Sequence, residues 1–322
     1  MNHTHGGLMK TLLACLVVLT SFAAGAQDYP SKPVRLVVPF PPGGPLDVAG
    51  RMISRELQER WGQPVIVENK AGGSIGAETV AKAPRDGYML MINGSSPFVT
   101  LPQMMKVGYD PLKDFVGVIQ TTESQFALIA HPKSGITSLQ QLIDEARKAP
   151  GKLNYGSAGN GAGQHLYFEL LKIAAGINLT HVPYKGAAPA MQALIAGEVP
   201  FIFENIITAS SLVKSGRARV LMVTGAKPIE HLPGAVPFDK LFPGLGIQTW
   251  HGIFAPNGTP RPVLEKAAAD IRFALKVPSV VSRFGQLGIQ PTGVSGEAFN
   301  AMVKSDFDRW GEVIRKNKLR AD

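Results

Sequence analysis

Residues 34–57 read VRLVVPFPPGGPLDVAGRMISREL. Val34 to Val38 is a short β-rich run, closed by the turn Pro39-Phe40-Pro41-Pro42-Gly43-Gly44. From about Leu46 the apolar positions Val48, Ala49, Met52, Ile53 and Leu57 recur at the 3.6-residue spacing of one helix face. The stretch is a strand, a glycine turn and a helix. The order then repeats: Gln63 to Glu68 reads as a strand, Asn69 to Gly73 as a turn, and Ser74 to Lys82 as a helix capped by Ser74. Tyr88 to Ile92 is a third strand, ending at Asn93-Gly94-Ser95-Ser96. Such alternation predicts a parallel sheet with helices on its faces.

Phe115 to Gln120 and Phe126 to Ala130 read as two extended pieces around a polar break, Thr121 to Gln125. A second set follows: helix Leu139 to Lys148, strand Leu153 to Gly156, a glycine-rich loop, helix Gln164 to Ala175 and strand Leu179 to Val182. Helix Ala188 to Ala196, strand Val199 to Glu204, helix Ile207 to Lys214 and strand Val220 to Thr224 complete it. Beyond a Pro/Gly-rich stretch from Leu232 to Gly246, Trp250 to Ala255 is a strand able to return to the first set. Helices Pro262 to Leu275, Pro278 to Leu287 and Ser295 to Asn317 finish the chain. These last helices need a partner surface, and the first set is short without them. The expectation is an α/β chain with a signal peptide at 1–26, a first lobe of 27–122 plus 250–322, and a second lobe of 123–249. Crossing segments near 121–125 and 246–251 would form a double hinge, letting one lobe close on a ligand held by the other.

At the N-terminus, Lys10 precedes the apolar run Leu12 to Leu19 and the small-residue stretch Ala23-Ala24-Gly25-Ala26, the build of a secretory signal cut after Ala26. The run falls short of the roughly 20 apolar residues of a membrane span. Leu12-Leu13-Ala14-Cys15 also fits a lipoprotein box, which would tether the mature chain through Cys15, and Met9 is a better start for the signal than Met1. Cleavage after Ala26 removes the one cysteine of the chain, and with it any disulfide or thiolate metal ligand. The formal charge of +9, from 33 Lys and Arg against 24 Asp and Glu, is scattered along the length. Such a surface favours anions weakly. Nucleic acid would want a clustered basic patch with aromatics or a known module.

The turn at Pro42, Gly43 and Gly44 frees backbone N–H groups for an approaching ligand, and the helix start behind it favours an anion. Asp47 either caps that helix or points into the cleft. The fingerprint G-x-G-x-x-G is absent and no G-K-S/T follows, so neither a dinucleotide nor a P-loop nucleotide site is indicated, and no cofactor is expected. The strongest local signal is Tyr155-Gly156-Ser157-Ala158-Gly159-Asn160-Gly161-Ala162-Gly163-Gln164-His165. It joins a strand end to a helix start through small residues whose backbone makes a nest of donors, with the Ser157 hydroxyl beside it. Tyr184 and Lys185 follow the next strand end, where Lys185 offers a charge for an anion. Glu204 ends another strand, and Ser95 and Ser96 occupy the corresponding place in the first set. Seven histidines are widely spread, with no H-x-x-x-H, cysteine pair or acidic calcium loop, so no metal is expected.

Several of these motifs together resemble one family. Tyr29-Pro30-x-Lys32-Pro33-Val34-Arg35, then Val38-Pro39-Phe40-x-Pro42-Gly43-Gly44 with Asp47, are similar to the opening of the tripartite tricarboxylate transporter substrate-binding proteins, also called Bug receptors. The likeness continues through Gly62-Gln63-Pro64-Val65, Val67-Glu68-Asn69-Lys70, Gly72-Gly73-x-Ile75-Gly76 and Asp86-Gly87-Tyr88. The 155–165 loop, Val182-Pro183-Tyr184-Lys185-Gly186 and Phe254-Ala255-Pro256 complete it. The resemblance implies a periplasmic receptor with a two-lobed type II periplasmic-binding-protein fold, monomeric, delivering its ligand to one large and one small integral membrane subunit. It also implies a ligand carboxylate held by the first turn, here Pro42, Gly43, Gly44 and Asp47, and by the second-lobe loop, here Ser157, Ala158, Gly159, Gly163, Gln164 and His165. Tyr184 and Lys185 would border that cleft. Where the family often has Asp this chain has Glu204, which, if it faces the pocket, suits an amino group or hydroxyl of the ligand better than a second carboxylate.

The chain is accordingly expected to bind a small carboxylate or amino acid and not to be an enzyme. A hydrolase using Ser157 as nucleophile and His165 as base is the rival from another class. It lacks the elbow G-x-S-x-G, because Gly156-Ser157 is followed by Ala158-Gly159. A ligand sensor, or a docking protein that does not transport, is a further alternative. A DNA-binding regulator would need a helix-turn-helix ahead of Tyr29.

Overall fold

The computed structural model describes residues 29–40, 42–71, 74–160, 162–225, 229, 232–243 and 249–320. The signal peptide expected at 1–26 with Cys15, and Pro41, the Gly72-Gly73 pair and Gly161, lie outside the described residues.

The first elements are β1 (Val34–Val38), α1 (Pro45–Trp61), β2 (Val65–Asn69), α2 (Ile75–Ala81) and β3 (Met89–Gly94). A π-helical turn, Ser96–Thr100, leads into α3 (Leu101–Met104), then come β4 (Phe115–Ser124) and β5 (Phe126–Ala130). The middle of the chain forms α4 (Leu139–Lys148), β6 (Asn154–Ser157), α5 (Gly163–Ala175), β7 (Thr180–Pro183), α6 (Ala187–Ala196), β8 (Phe201–Asn205), α7 (Ile206–Lys214) and β9 (Arg219–Val223). The rest is β10 (Val236–Pro237), α8 (Phe238–Leu241), β11 (Thr249–Pro256), α9 (Arg261–Ala274), α10 (Pro278–Gln286), β12 (Ile289–Pro291) and α11 (Gly296–Asn317).

Two six-stranded sheets result, in the orders β12-β4-β11-β3-β1-β2 and β10-β9-β5-β8-β6-β7. Neither is purely parallel, which corrects the sequence expectation. β1 pairs in parallel with β2 and β3, but β11 runs antiparallel to both β3 and β4. In the other sheet β5 runs antiparallel to β8 and β9. The reason is connectivity: β4 leaves the first sheet where β11 re-enters it, Ser124 facing Thr249, so the returning strand must point the other way. The expected polar break at Thr121 to Gln125 is also corrected, because β4 continues to Ser124 and Gln125 alone separates it from β5. Thr121 and Thr122 are fully buried there: the Thr121 hydroxyl donates to the His251 carbonyl, and Thr122 Oγ1 lies 2.8 Å from His251 Nδ1. Polar side chains with partners at hand can occupy a central strand.

Apolar burial explains the layers. Ala49, Ile53 and Leu57 of α1 meet Leu36, Val38 and Ile92 on one face of the first sheet, together with Ile271 of α9 and Phe284 of α10. A second cluster includes Phe98, Phe254, Phe299 and Trp250 of the first set and Tyr155, Phe168, Phe201 and Phe203 of the second. Burial of each such side chain contributes about 1.5–3 kcal/mol, so this shared cluster ties the two sheets together at their junction. Tyr167 of α5 extends the tie, bonding through its hydroxyl to Thr249 Oγ1 and packing its ring 5.4 Å from Phe126.

Candidate functional site

The strand directions bring one end of each sheet to the same junction. β1 and β3 of the first sheet, and β6, β7, β8 and β9 of the second, all finish at the edge where β4 passes into β5 and β11 returns. Carboxyl ends of strands are where open α/β sheets take their ligands. Every site residue expected from sequence lies at this edge: on the turns after β1, β3, β6 and β7, in the first turn of α1 (Asp47) or of α5 (Gly163, Gln164 and His165), or at the ends of β6 (Ser157) and β8 (Glu204).

After β1, Pro42 and Gly43 are exposed and Gly44 partly so. Gly43 has φ +88°, a conformation that costs a residue with a Cβ, and Gly44 is the extended N-cap of α1 with no side-chain cap. Asp47 does not cap the first-turn amides. Buried at 3% exposure, it reaches back to accept the Gly43 N–H at 2.9 Å, takes the Arg51 Nε at 3.0 Å and receives Asn69 Nδ2 on its other oxygen at 2.8 Å. Burial pushes the Asp47 carboxyl up, but the donors from Arg51, Gly43 and Asn69 outweigh it and hold it below the usual carboxylate range. Asp47 shapes the turn, and its oxygens are occupied by protein. Arg51 and Asn69 were not singled out from sequence. The signal lay in spacing, Arg51 one helical turn beyond Asp47, and in Asn69 ending the strand beside Val38.

After β3, Ser95 is buried and opens the π-helical turn that includes Ser96. His251 of β11 pairs across to Gly94, is itself buried, and burial lowers its pKa to about 4.

After β6, Ser157 is 1% exposed, while Ala158, Gly159, Gly163 and Gln164 are partly exposed. Gly159 has φ +126°, and a Cβ there would lie 3.2 Å from the Tyr184 carbonyl oxygen. The loop is tied to its neighbour by main-chain bonds, Tyr184 N to Ser157 O at 2.9 Å and Gly186 N to Ala158 O at 3.1 Å. Ala162 and Gly186, the N-caps of α5 and α6, supply no side-chain cap either. The rival reading, a hydrolase pairing Ser157 with His165, finds no such pair here: Ser157 Oγ lies 2.6 Å from Nε2 of His181, the residue that pairs with Tyr155 in the β6–β7 register. His165 instead stacks on His181, ring centroids 4.1 Å apart, and sits 3.8 Å from Glu169. Burial lowers the pKa of His165 and, with the neighbouring His165 ring, that of His181 to about 4.

Tyr184 is partly exposed and Lys185 exposed. Glu204 is 8% exposed, and its one hydrogen bond is from the Asn205 N–H at 2.8 Å; burial raises its pKa despite that bond. The cap of α7 is Asn205, whose Oδ1 accepts the Ile207 N–H at 2.9 Å.

Among the described residues, no group of three His, Cys, Asp or Glu could hold a metal ion, and no helix is long and apolar enough to cross a membrane. A separate cavity of about 670 Å³ opens between α9 and α11 over the Val116–Val118 stretch of β4, lined also by Arg261, Arg272 and Glu297, and it contains none of these site residues.

Residues 49–319 match the model of a family described as the tripartite tricarboxylate transporter family receptor. A protein from the tcbD-tcbE intergenic region of a Pseudomonas species is 37% identical over 98% of this chain and 96% of its own length. BugT of Bordetella pertussis is 31% identical over 96% of this chain and 98% of its own. In structure, an R. palustris protein solved with adipate superposes with a TM-score of 0.75 at 32% identity, covering 91% of this chain and 99% of that one.

Proposed function

Since the chain belongs to the tripartite tricarboxylate transporter receptor family, we propose that it is an extracytoplasmic receptor that captures a small carboxylate-bearing metabolite and passes it to large and small integral membrane subunits. One observation carries the reading: two helices without side-chain caps, α1 and α5, start at glycine-bearing turns on the same junction, one from each sheet. Their first-turn N–H groups lack intrahelical acceptors, and the helix dipole favours an anion in front of them. The R. palustris relative solved with adipate supports a carboxylate as that anion.

On this reading Pro42, Gly43 and Gly44 face the ligand from one side and Ala158, Gly159, Gly163, Gln164 and His165 from the other, with Ser95, Ser96, Tyr184 and Lys185 at the rim. Asp47 and Ser157 belong to the same two turns. Glu204, buried and with no ion pair among the described residues, meets an amino or hydroxyl group of the ligand. Residues 27–122 with 250–322 act as one lobe and 123–249 as the other, closing about Gln125 and the start of β11. The mature protein is a monomer released by cleavage after Ala26. It has no catalytic role, because the Ser157 hydroxyl is enclosed and its histidine partner is a weak base.

Calorimetric titration of the ligand-stripped mature chain against mono-, di- and tricarboxylates and amino acids tests this. One-to-one binding of a carboxylate without product is expected. Heat from no carboxylate, or turnover of one, would refute it.

A further inference from the structure

A polar cluster lies behind the glycine-rich loop. Ser157 Oγ accepts the Gly159 N–H at 3.1 Å and meets His181 Nε2 at 2.6 Å. The imidazole is held flat between two rings, His165 at 4.1 Å with a 5° interplanar angle and Tyr155 at 4.9 Å with 18°. Tyr155 stacks in turn on Phe168 at 3.9 Å and donates its hydroxyl to Glu169 at 2.8 Å, where Lys172 also donates at 2.7 Å. Every link in this chain is a side chain with its position fixed by the next. The end of the chain is a backbone N–H in the loop.

A serine hydroxyl rotates among three wells, and in two of them its lone pairs miss the Gly159 amide. A histidine nitrogen fixed 2.6 Å away selects one well, in which the hydroxyl also donates to the Gly159 carbonyl at 3.1 Å. The Gly159 amide is thereby spoken for by protein, and the peptide planes on either side of it are set. With Gly159 at φ +126°, a small rotation there would swing the neighbouring amides away from any anion at the start of α5.

We infer that His181 is a positioning residue for ligand capture: through Ser157 it holds the turn at Ser157–Gly159 in the geometry that receives the ligand's carboxylate, and neither it nor the Ser157 hydroxyl touches the ligand. The inference rests on the carboxylate reading of the junction. The groups facing His181 are His165, Glu169 and Lys172 from α5 and Tyr155 from β6. An imidazolium at 181 would still donate to Ser157, so the brace tolerates protonation.

The test uses the mature chain and the variants His181→Ala, Ser157→Ala, the double variant and His181→Gln, whose amide can reach the same hydroxyl. Amide hydrogen exchange at Gly159, read by NMR without ligand, is expected to speed about tenfold in each alanine variant, with no further gain in the double variant and partial recovery in His181→Gln. Affinity for the tightest carboxylate of the titration panel is expected to fall about tenfold in parallel. Unchanged exchange in His181→Ala, or additive effects in the double variant, would overturn the brace. Faster exchange with unchanged affinity would overturn its link to capture. If the parent protein binds no carboxylate, the receptor reading fails, while the exchange measurement still decides whether His181 braces the loop.

Discussion

Gly43 and Glu204 show how much a single position can carry. At Gly43 the backbone sits at φ +88°, and the place a Cβ would occupy has no neighbouring atom within 4 Å. Gly43→Ala therefore meets no clash and should cost folding only about 1 kcal/mol of backbone strain, while shifting an N–H that lines the turn. Calorimetry should show ligand affinity falling at least tenfold against a melting temperature lowered by a few degrees. Among the described residues no cation pairs with buried Glu204, and burial raises its pKa, so its charge opposes folding at neutral pH. Glu204→Gln should stabilise the ligand-free protein by about 1 kcal/mol, seen as a higher denaturant midpoint, while weakening any ligand that presents an amino or hydroxyl donor. Ser157 and the loop around it were legible in the sequence, because small residues between a strand and a helix announce a backbone site. Its partner was not. His181 stands 24 residues away, beyond an entire helix, and only the β6–β7 register brings the two together.

At the scale of elements, α1 with its leading turn behaves as a unit organised by Asp47. Removing that carboxylate leaves the Gly43 N–H, Arg51 and Asn69 without their shared acceptor. Asp47→Ala should cost about 2 kcal/mol in chemical denaturation and speed amide exchange at Gly43, whereas Asp47→Asn should retain part of both. The long elements were readable because periodicity and glycine punctuation agree over many residues, as in α1, which ends at Gly62 in the left-handed conformation. The elements missed are short. β10 has two residues, β12 three, and α3 and α8 four each, too few to display a period. Strand direction was also beyond the pattern, since an alternation of strands and helices looks the same whether a strand such as β11 runs with or against its neighbours. Thr121, Thr122 and Ser124 read as a break for a related reason: their partners come from other strands.

For the whole molecule, buried histidines set the response to acid. His181 and His251 have folded pKa values near 4, below the usual value of 6.5, and His165 is displaced the same way. The unfolded chain therefore binds more protons between those limits, and stability declines as pH falls from about 6.5 toward 4, by on the order of 2 kcal/mol for buried His251 and by less for half-buried His181, which solvent screens. Thermal melts at pH 7, 6 and 5 should show a steadily falling midpoint, and His251→Gln should flatten part of that slope. Below about pH 4 the paired carboxylates Asp47 and Asp270, held low by their donors despite burial, lose their contributions as well. Two sheets joined where β4 passes through Gln125 into β5, with β11 entering the first sheet beside Ser124, give this molecule a junction at which α1 and α5 begin. The most direct measurement is a crystal structure of the mature protein with the tightest carboxylate from titration. The carboxylate is expected against backbone N–H groups at the starts of α1 and α5, those of Gly44, Leu46, Gly163 and Gln164, with Glu204 beside any amino or hydroxyl group. A ligand seated instead in the cavity between α9 and α11, or bound with both helix N-termini turned to solvent, would contradict the receptor site placed at the junction.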